Sequence, residues 1–271
     1  MRTLSKAIAG GRPFLVDYSI AQQHLEITKK FGLTDLIGKL FGEAPKPYKV
    51  GNTIIIPVYG MIGKGLSPLE AIGAADVEVI DSWIDDAVAQ KPSGIIFDIN
   101  SDGGTVDGVE ELANKIRGLG IPTIAYSSGS MNSAAYWIGS AADRLLASPS
   151  ASVGSIGCYM CFNDMSAMAE AQGIKVVVIK SGEHKGAGVA GTSLTDAQHA
   201  YFQDEVNIVG DAFKSSVRMK RTMVSDADMQ GQAMSGKIAA QKGLITGLVD
   251  SLKLLIGQVE NKTLPAKSLV K

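Results

Sequence analysis

A chain of 271 residues, 45% apolar and 20% charged, can bury one substantial core and reads as one main domain. Its formal net charge of −1, from 26 Lys and Arg against 27 Asp and Glu, leaves no basic surplus for nucleic acid, and the short basic run Arg218–Arg221 reads as a solvated helix end. No stretch reaches the roughly 18–20 apolar residues that span a bilayer, and the opening MRTLSKAIAGGRPFLVDY lacks a signal peptide's apolar run, so the expectation is a soluble, cytoplasmic protein with no membrane or nucleic-acid partner.

Residues 1–47 read as an N-terminal arm, with an amphipathic stretch from Ile20 to Leu40 ended by the breaker APKPY. From residue 48 short β-branched runs alternate with amphipathic helices. TIIIPVY (Thr53 to Tyr59) predicts a strand, and Asp76 to Gln90 a helix with Ile80, Trp83, Ile84, Ala87 and Val88 on one face. A strand over Gly94 to Ile99 leads through a glycine turn into a helix that turns Val109, Leu112, Ala113 and Ile116 inward and stops at Gly118 and Gly120. Further strands are predicted at Pro122 to Tyr126, Arg144 to Ala147, Ser152 to Cys161 and Lys175 to Lys180, with helices from Ser133, over Met165 to Gln172, and from Thr195. Strands separated by helices of this length predict an α/β fold with a largely parallel sheet, whose ligands sit at the strand ends where the glycine turns lie.

The two cysteines cannot form a disulfide framework. Cys158-Tyr-Met-Cys161 falls in a predicted strand, where positions i and i+3 face opposite sides, so buried apolar cysteines are favoured over metal ligands.

Four local features suit catalysis. Ser133 stands at a helix start in NSAAYWIGSAAD, where it could equally be an N-cap. Lys185 lies in IKSGEHKGAG among glycines, where an arbitrary lysine would be solvated. Gly103 and Gly104 in IFDINSDGGTVDG follow a buried strand and precede a helix, a place where backbone N–H groups are free for an oxyanion. The SVGSIG turn holds Ser155. A serine nucleophile needs a base. Of the three histidines, His24 lies in the arm, His184 beside Lys185 and His199 on an amphipathic helix, and none has an acidic partner that spacing alone suggests. A lysine serves only when neutral; lowering it by about three pH units from its usual value costs roughly 4 kcal/mol, which only burial or neighbouring hydroxyls sustain.

Taken in order, these motifs resemble the signal peptide peptidase A family of Ser/Lys peptidases, and within it the phage head-maturation proteases related to minor capsid protein C. The likeness runs from about Tyr48 to Leu252 and includes IPVYG, DINSDGG, SAAY with SAAD, GSIG, SGEHK and the closing GKIAAQKGLITGLVDS. The resemblance implies a ClpP/crotonase-like superhelix of ββα units over residues 48–252, with 253–271 as a C-terminal tail. It implies Ser133 as nucleophile, Lys185 as general base, Ser155 as the hydroxyl that orients the lysine, and Gly103 and Gly104 as the oxyanion hole, with no metal or cofactor. It also implies a homo-oligomeric ring in which neighbouring subunits share each site. Asp102 stands where the family usually has proline, and Ala134-Ala135 replaces the glycine pair of the membrane-bound branch. The tail is short for the phage branch, which implies a scaffold encoded elsewhere or a chain that has been cut.

The implied function is a capsid-assembly protease that cleaves scaffold, portal or capsid proteins in the host cytoplasm or procapsid interior. Two alternatives stand beside it: a soluble signal-peptide-peptidase-like enzyme degrading short peptides, and an inactive crotonase-fold structural partner. An acyl-CoA enzyme of that fold would need an acidic residue in place of the Ser/Lys pair.

Overall fold

The computed structural model describes residues 14–15, 45–67, 70–71 and 73–264. The amphipathic stretch expected between Ile20 and Leu40 lies outside them.

Strand β1 (Phe14–Leu15) is followed by β2 (Tyr48–Val50), β3 (Thr53–Tyr59), β4 (Met61–Gly63), β5 (Ala74–Asp76) and α1 (Val77–Ala89). Then come β6 (Gly94–Asn100), β7 (Gly104–Thr105) and α2 (Val109–Arg117); β8 (Thr123–Ser127), β9 (Ser130–Asn132) and α3 (Ala134–Ser140). The chain goes on through β10 (Arg144–Ala147), β11 (Ser152–Gly154), α4 (Ser166–Ala171) and α5 (Asp196–Arg218). It closes with β12 (Ala233–Ser235), α6 (Gly236–Gln241), β13 (Gly247–Leu248) and α7 (Leu252–Glu260).

A six-stranded sheet in the order β13-β10-β8-β6-β3-β2 forms the centre, parallel throughout except for the β2–β3 pair. The short strands leave it for two outer sheets, β1-β7-β4-β5 and β12-β11-β9. Three times in succession a central strand is followed by a short outer strand and then a helix: β6-β7-α2 and β8-β9-α3 directly, β3-β4-α1 with β5 interposed. This is the ββα repeat that the family resemblance implied.

Both faces of the central sheet are covered, and the pleat sorts its residues by period two. Ile54, Ile56 and Val58 of β3 and Ile95, Phe97 and Ile99 of β6 point into the main core with α1, α2 and α3. Ile55, Ile96, Ile124, Tyr126 and Leu146 point the other way and are closed over by Val249 and Leu255. Leu255 belongs to α7, and Thr53 Oγ1 donates to Glu260 Oε1 at 2.8 Å, so the start of what the sequence set apart as a tail packs on the sheet. Helix α2 buries Val109, Leu112, Ala113 and Ile116, the predicted face. Helix α1 buries Val77, Ile80, Ile84 and Ala87 and leaves Val88 exposed. Among the described residues no helix is long and apolar enough to cross a membrane.

Four expectations need correction. The strand predicted over Ser152 to Cys161 ends at Gly154, because Ser155 adopts a φ of 53°, which a strand cannot continue through. Consequently the cysteines lie off any strand; Cys158 is half-buried and Cys161 exposed. Lys175 to Lys180 forms no strand, since its β-branched run meets no partner strand among the described residues, with Val177 70% and Ile179 95% exposed. The solvated helix end holds at Met219, but Arg221 is 4% exposed and its guanidinium donates to Ala142 O at 2.8 Å, satisfying a carbonyl just past α3.

Candidate active site

Ser133 joins β9 to α3 with φ 54° and ψ −123°, a conformation outside the usual regions for a residue with a side chain. Neighbouring structure enforces it. The Ser133 N–H donates to Gly154 O at 2.8 Å, and its carbonyl accepts from Trp137 N at 2.9 Å. Helix α3 is buried along its whole length, with Tyr136 Oη donating to Leu244 O at 2.7 Å and the Trp137 ring stacked on Phe213 at 4.6 Å. The hydroxyl makes no capping hydrogen bond, so the N-cap reading of Ser133 does not account for this serine.

Ser155 also carries a positive φ, held by its N–H donating to Gln232 O at 2.8 Å. It follows directly on Gly154, the acceptor for Ser133 N–H, and the two serines line one cavity of about 530 Å³. The cavity's other walls are Ile156 to Tyr159, one face of α5 from Val206 to Lys214, and Met229 to Gly231. Burial pushes the Cys158 thiol up to about 11, against the pull of the nearby Lys214 charge. That thiol is a protonated wall of the cavity, donating to Val206 O at 3.2 Å.

The glycine turn lies against the strand that delivers Ser133. Ser101 N–H donates to Ser130 O at 2.8 Å, and Asn132 N–H donates to Ser101 O at 3.1 Å. Gly103 has φ 108°; its N–H donates to Ser101 Oγ at 3.1 Å and its carbonyl accepts from Ile62 N at 2.8 Å. Gly104 pairs with Ile62 so closely that a Cβ there would stand 1.9 Å from Ile62 O. An oxyanion at Gly103 would have to take over the N–H that Ser101 now holds.

Lys185 is exposed and does not line the cavity. Its loop is fastened to the first turns of α5: Gln198 Nε2 donates to Glu183 O at 3.0 Å, and the His184 ring stacks on Tyr201 at 4.8 Å. The cavity begins further along that helix, at Val206, and Tyr201 to Val206 is about 7.5 Å of rise. One chain therefore brings Ser133 and Ser155 together in the cavity, sets the glycine turn, whose Gly103 and Gly104 do not line that cavity, against the strand that delivers Ser133, and leaves Lys185 apart. The lysine it does place in the cavity is Lys214, half-buried on α5 and missed by sequence reasoning. Its only sequence signal is a place on the helix next to Phe213, which any exposed helical lysine shares. His184 and His199 are exposed and also lie outside the cavity lining. Among the described residues no cluster of His, Cys, Asp and Glu could hold a metal ion.

A model of peptidase family S49 matches residues 115–264, which include Ser133, Ser155 and Lys185 but not the glycine turn. Capsid assembly protease C of Escherichia phage lambda is 29% identical over 213 residues, covering 76% of this chain and 48% of that protein. Head-tail preconnector protein GP5 of Enterobacteria phage P21 is 27% identical over 217 residues, covering 78% and 43%. Protease 4 of Salmonella typhi is 27% identical over 217 residues, covering 76% and 33%. The chain spans about half the length of the first curated relatives it matches.

Proposed function

The chain belongs to peptidase family S49, and from that premise we propose that it is a serine endopeptidase with Ser133 as nucleophile and Lys185 as general base. The observation that carries this reading is Ser133 itself: a serine held at a positive φ, its hydroxyl unused for capping, opening on a cavity shared with Ser155. In the proposed reaction Lys185 takes the Ser133 proton as Oγ attacks the peptide carbonyl, and the C–N bond breaks as the lysine returns that proton to the leaving amine. Water, deprotonated in turn by the lysine, then cleaves the acyl-serine ester. Backbone N–H groups at Gly103 and Gly104 stabilise the tetrahedral oxyanion, and Ser155 orients the lysine.

A lysine acts as a base only when neutral, and burial is what makes it so. Lys185 is exposed in the single chain, so the dyad needs a covering surface, and a second copy of the chain supplies it. The exposed β-branched run with Ile174, Val177 and Ile179 lies a few residues before Lys185 and gives such a contact apolar area. This supports a homo-oligomer in which one copy's lysine serves another copy's serine.

The substrates we propose are capsid, scaffold or portal proteins of a phage, processed in the host cytoplasm or the procapsid. The matches to the lambda and P21 proteins over about three quarters of this chain support that reading. A soluble peptidase degrading short peptides is the alternative.

Lys214 gives a second reading of the base, because it is the lysine that shares the Ser133 cavity within one chain. Steady-state hydrolysis of a fluorogenic peptide separates the two. Lys185→Ala is expected to lower kcat by about 10³-fold, and Lys214→Ala by less than about 10-fold. The reverse order would make Lys214 the base and the site complete in one chain.

A further inference from the structure

Asn132 immediately precedes Ser133 and is nine-tenths buried at the end of β9. Its backbone N–H is bound to Ser101 O, on the glycine-turn side, while Asn132 pairs in register with Gly154 of β11 on the other. The side chain repeats the same span. Nδ2 donates at 3.2 Å to Asp102 Oδ1, inside the turn, and at 3.0 Å to Ser152 Oγ, three residues before Ser155. One carboxamide thus ties together the segments from which the Ser133, Ser155 and oxyanion-turn groups project.

The orientation of that carboxamide has a cost. Asn132 Oδ1 is buried and has no hydrogen-bond partner, and leaving such an acceptor unpaired is unfavourable. Turning the amide over would pair nothing better, since it would set Oδ1 against the Asp102 carboxylate, which when ionised offers only acceptors. Asp102 therefore dictates the orientation, and the chain tolerates an orphan oxygen beside its serine to keep the link.

We propose that Asn132 is a positioning residue: its side chain clamps Asp102 to β11, fixing the oxyanion turn relative to Ser133 and drawing the Asp102 carboxylate away from the developing oxyanion. The clamp explains how an acidic residue is accommodated in a turn whose task is to stabilise negative charge. It rests on the Ser133 reading above and acts on kcat, because the link sets the geometry of the reacting groups and not the affinity for the peptide.

The test is a polarity swap. Asn132→Asp sets two carboxylates against each other and is expected to lower kcat about 10- to 100-fold with KM little changed, the scale of a misplacement of about 1 Å. The double variant Asp102→Asn with Asn132→Asp restores the bond with donor and acceptor exchanged, and the Ser152 hydroxyl can turn to donate to the carboxylate now at position 132. It is expected to recover most of kcat. A merely structural role for Asn132 predicts that both variants are equally impaired, and that result overturns the clamp, as does an Asn132→Asp enzyme equal to wild type. Should Asn132→Asp alone fail to fold, the swap carries the test by itself: kcat near wild type supports the clamp and kcat reduced about 10-fold or more sinks it. Ser133→Ala in the same assay keeps the questions apart. If that variant stays active, the nucleophile reading fails and takes the clamp with it; if it is inactive, a neutral Asn132→Asp refutes the clamp alone.

Discussion

Ser133→Ala is expected to abolish peptide hydrolysis, with kcat lowered by about 10⁴-fold or more, while the fold survives. The two halves of that expectation come from different atoms. Oγ is the only atom of Ser133 placed to attack a carbonyl, so its removal takes the covalent route away. The backbone, which carries the unusual φ of 54°, is held by Gly154 O and by the buried helix α3, and none of those contacts involves the hydroxyl. Alanine can occupy the same backbone position that serine does, so unfolding free energy should change by no more than about 1 kcal/mol. Activity and a thermal melt on one preparation check both halves. An active Ser133→Ala enzyme would remove Ser133 from the mechanism.

Gly104→Ala should damage both stability and activity. A Cβ at Gly104 would lie 1.9 Å from Ile62 O and 2.6 Å from Ile62 N and C, all backbone atoms that no side-chain rotation can move aside. Strands β4 and β7 must therefore part, and the glycine turn at the head of β7 must move with them. Overpacking of this kind costs about 1–3 kcal/mol, and a shift of about 1 Å at the proposed oxyanion donors is expected to lower kcat about 100-fold. Gly120→Ala is the matched control, because a Cβ there meets nothing within 4 Å. Denaturant unfolding of the two variants with parallel kinetics reads the contrast. Equal behaviour would mean that β4 and β7 yield more easily than their pairing implies.

What the sequence made legible follows from the range of the forces involved. The inward set of α2 is a period of 3.6 written into nine residues, and every member predicted to be buried is buried. The apolar run TIIIPVY reads as a strand and forms one, while the placing of Ile55 opposite Ile54 and Ile56 comes from the pleat and not from any alternation in the run. The capping box Thr195 with Gln198 marks the start of α5 through contacts three residues apart. Propensity misled where no partner was there to use it. Lys175 to Lys180 has the composition of a strand and pairs with no strand among the described residues, and Ser155 turns the chain out of β11 at a residue type that gives no warning.

The site shows the same division. Serine, lysine and glycine turns could be picked out as candidates because each sits in a distinctive local string. The Asn132 link to Asp102, between residues 30 apart, and the entry of Lys214 into the Ser133 cavity depend on how distant segments meet, and no local pattern encodes either. The exposure of Lys185 is likewise a tertiary fact, and it is the reason for the proposal that copies of the chain share the site.

The most direct test of the proposed shared site is to co-express Ser133→Ala with Lys185→Ala and measure peptide hydrolysis against each variant alone. A site built from one copy's Ser133 and another copy's Lys185 predicts two inactive single variants and a mixture with about a quarter of wild-type activity, the share of interfaces at which both intact residues meet by chance. A mixture as inactive as its components, with both variants folded and co-assembled, would contradict the shared site.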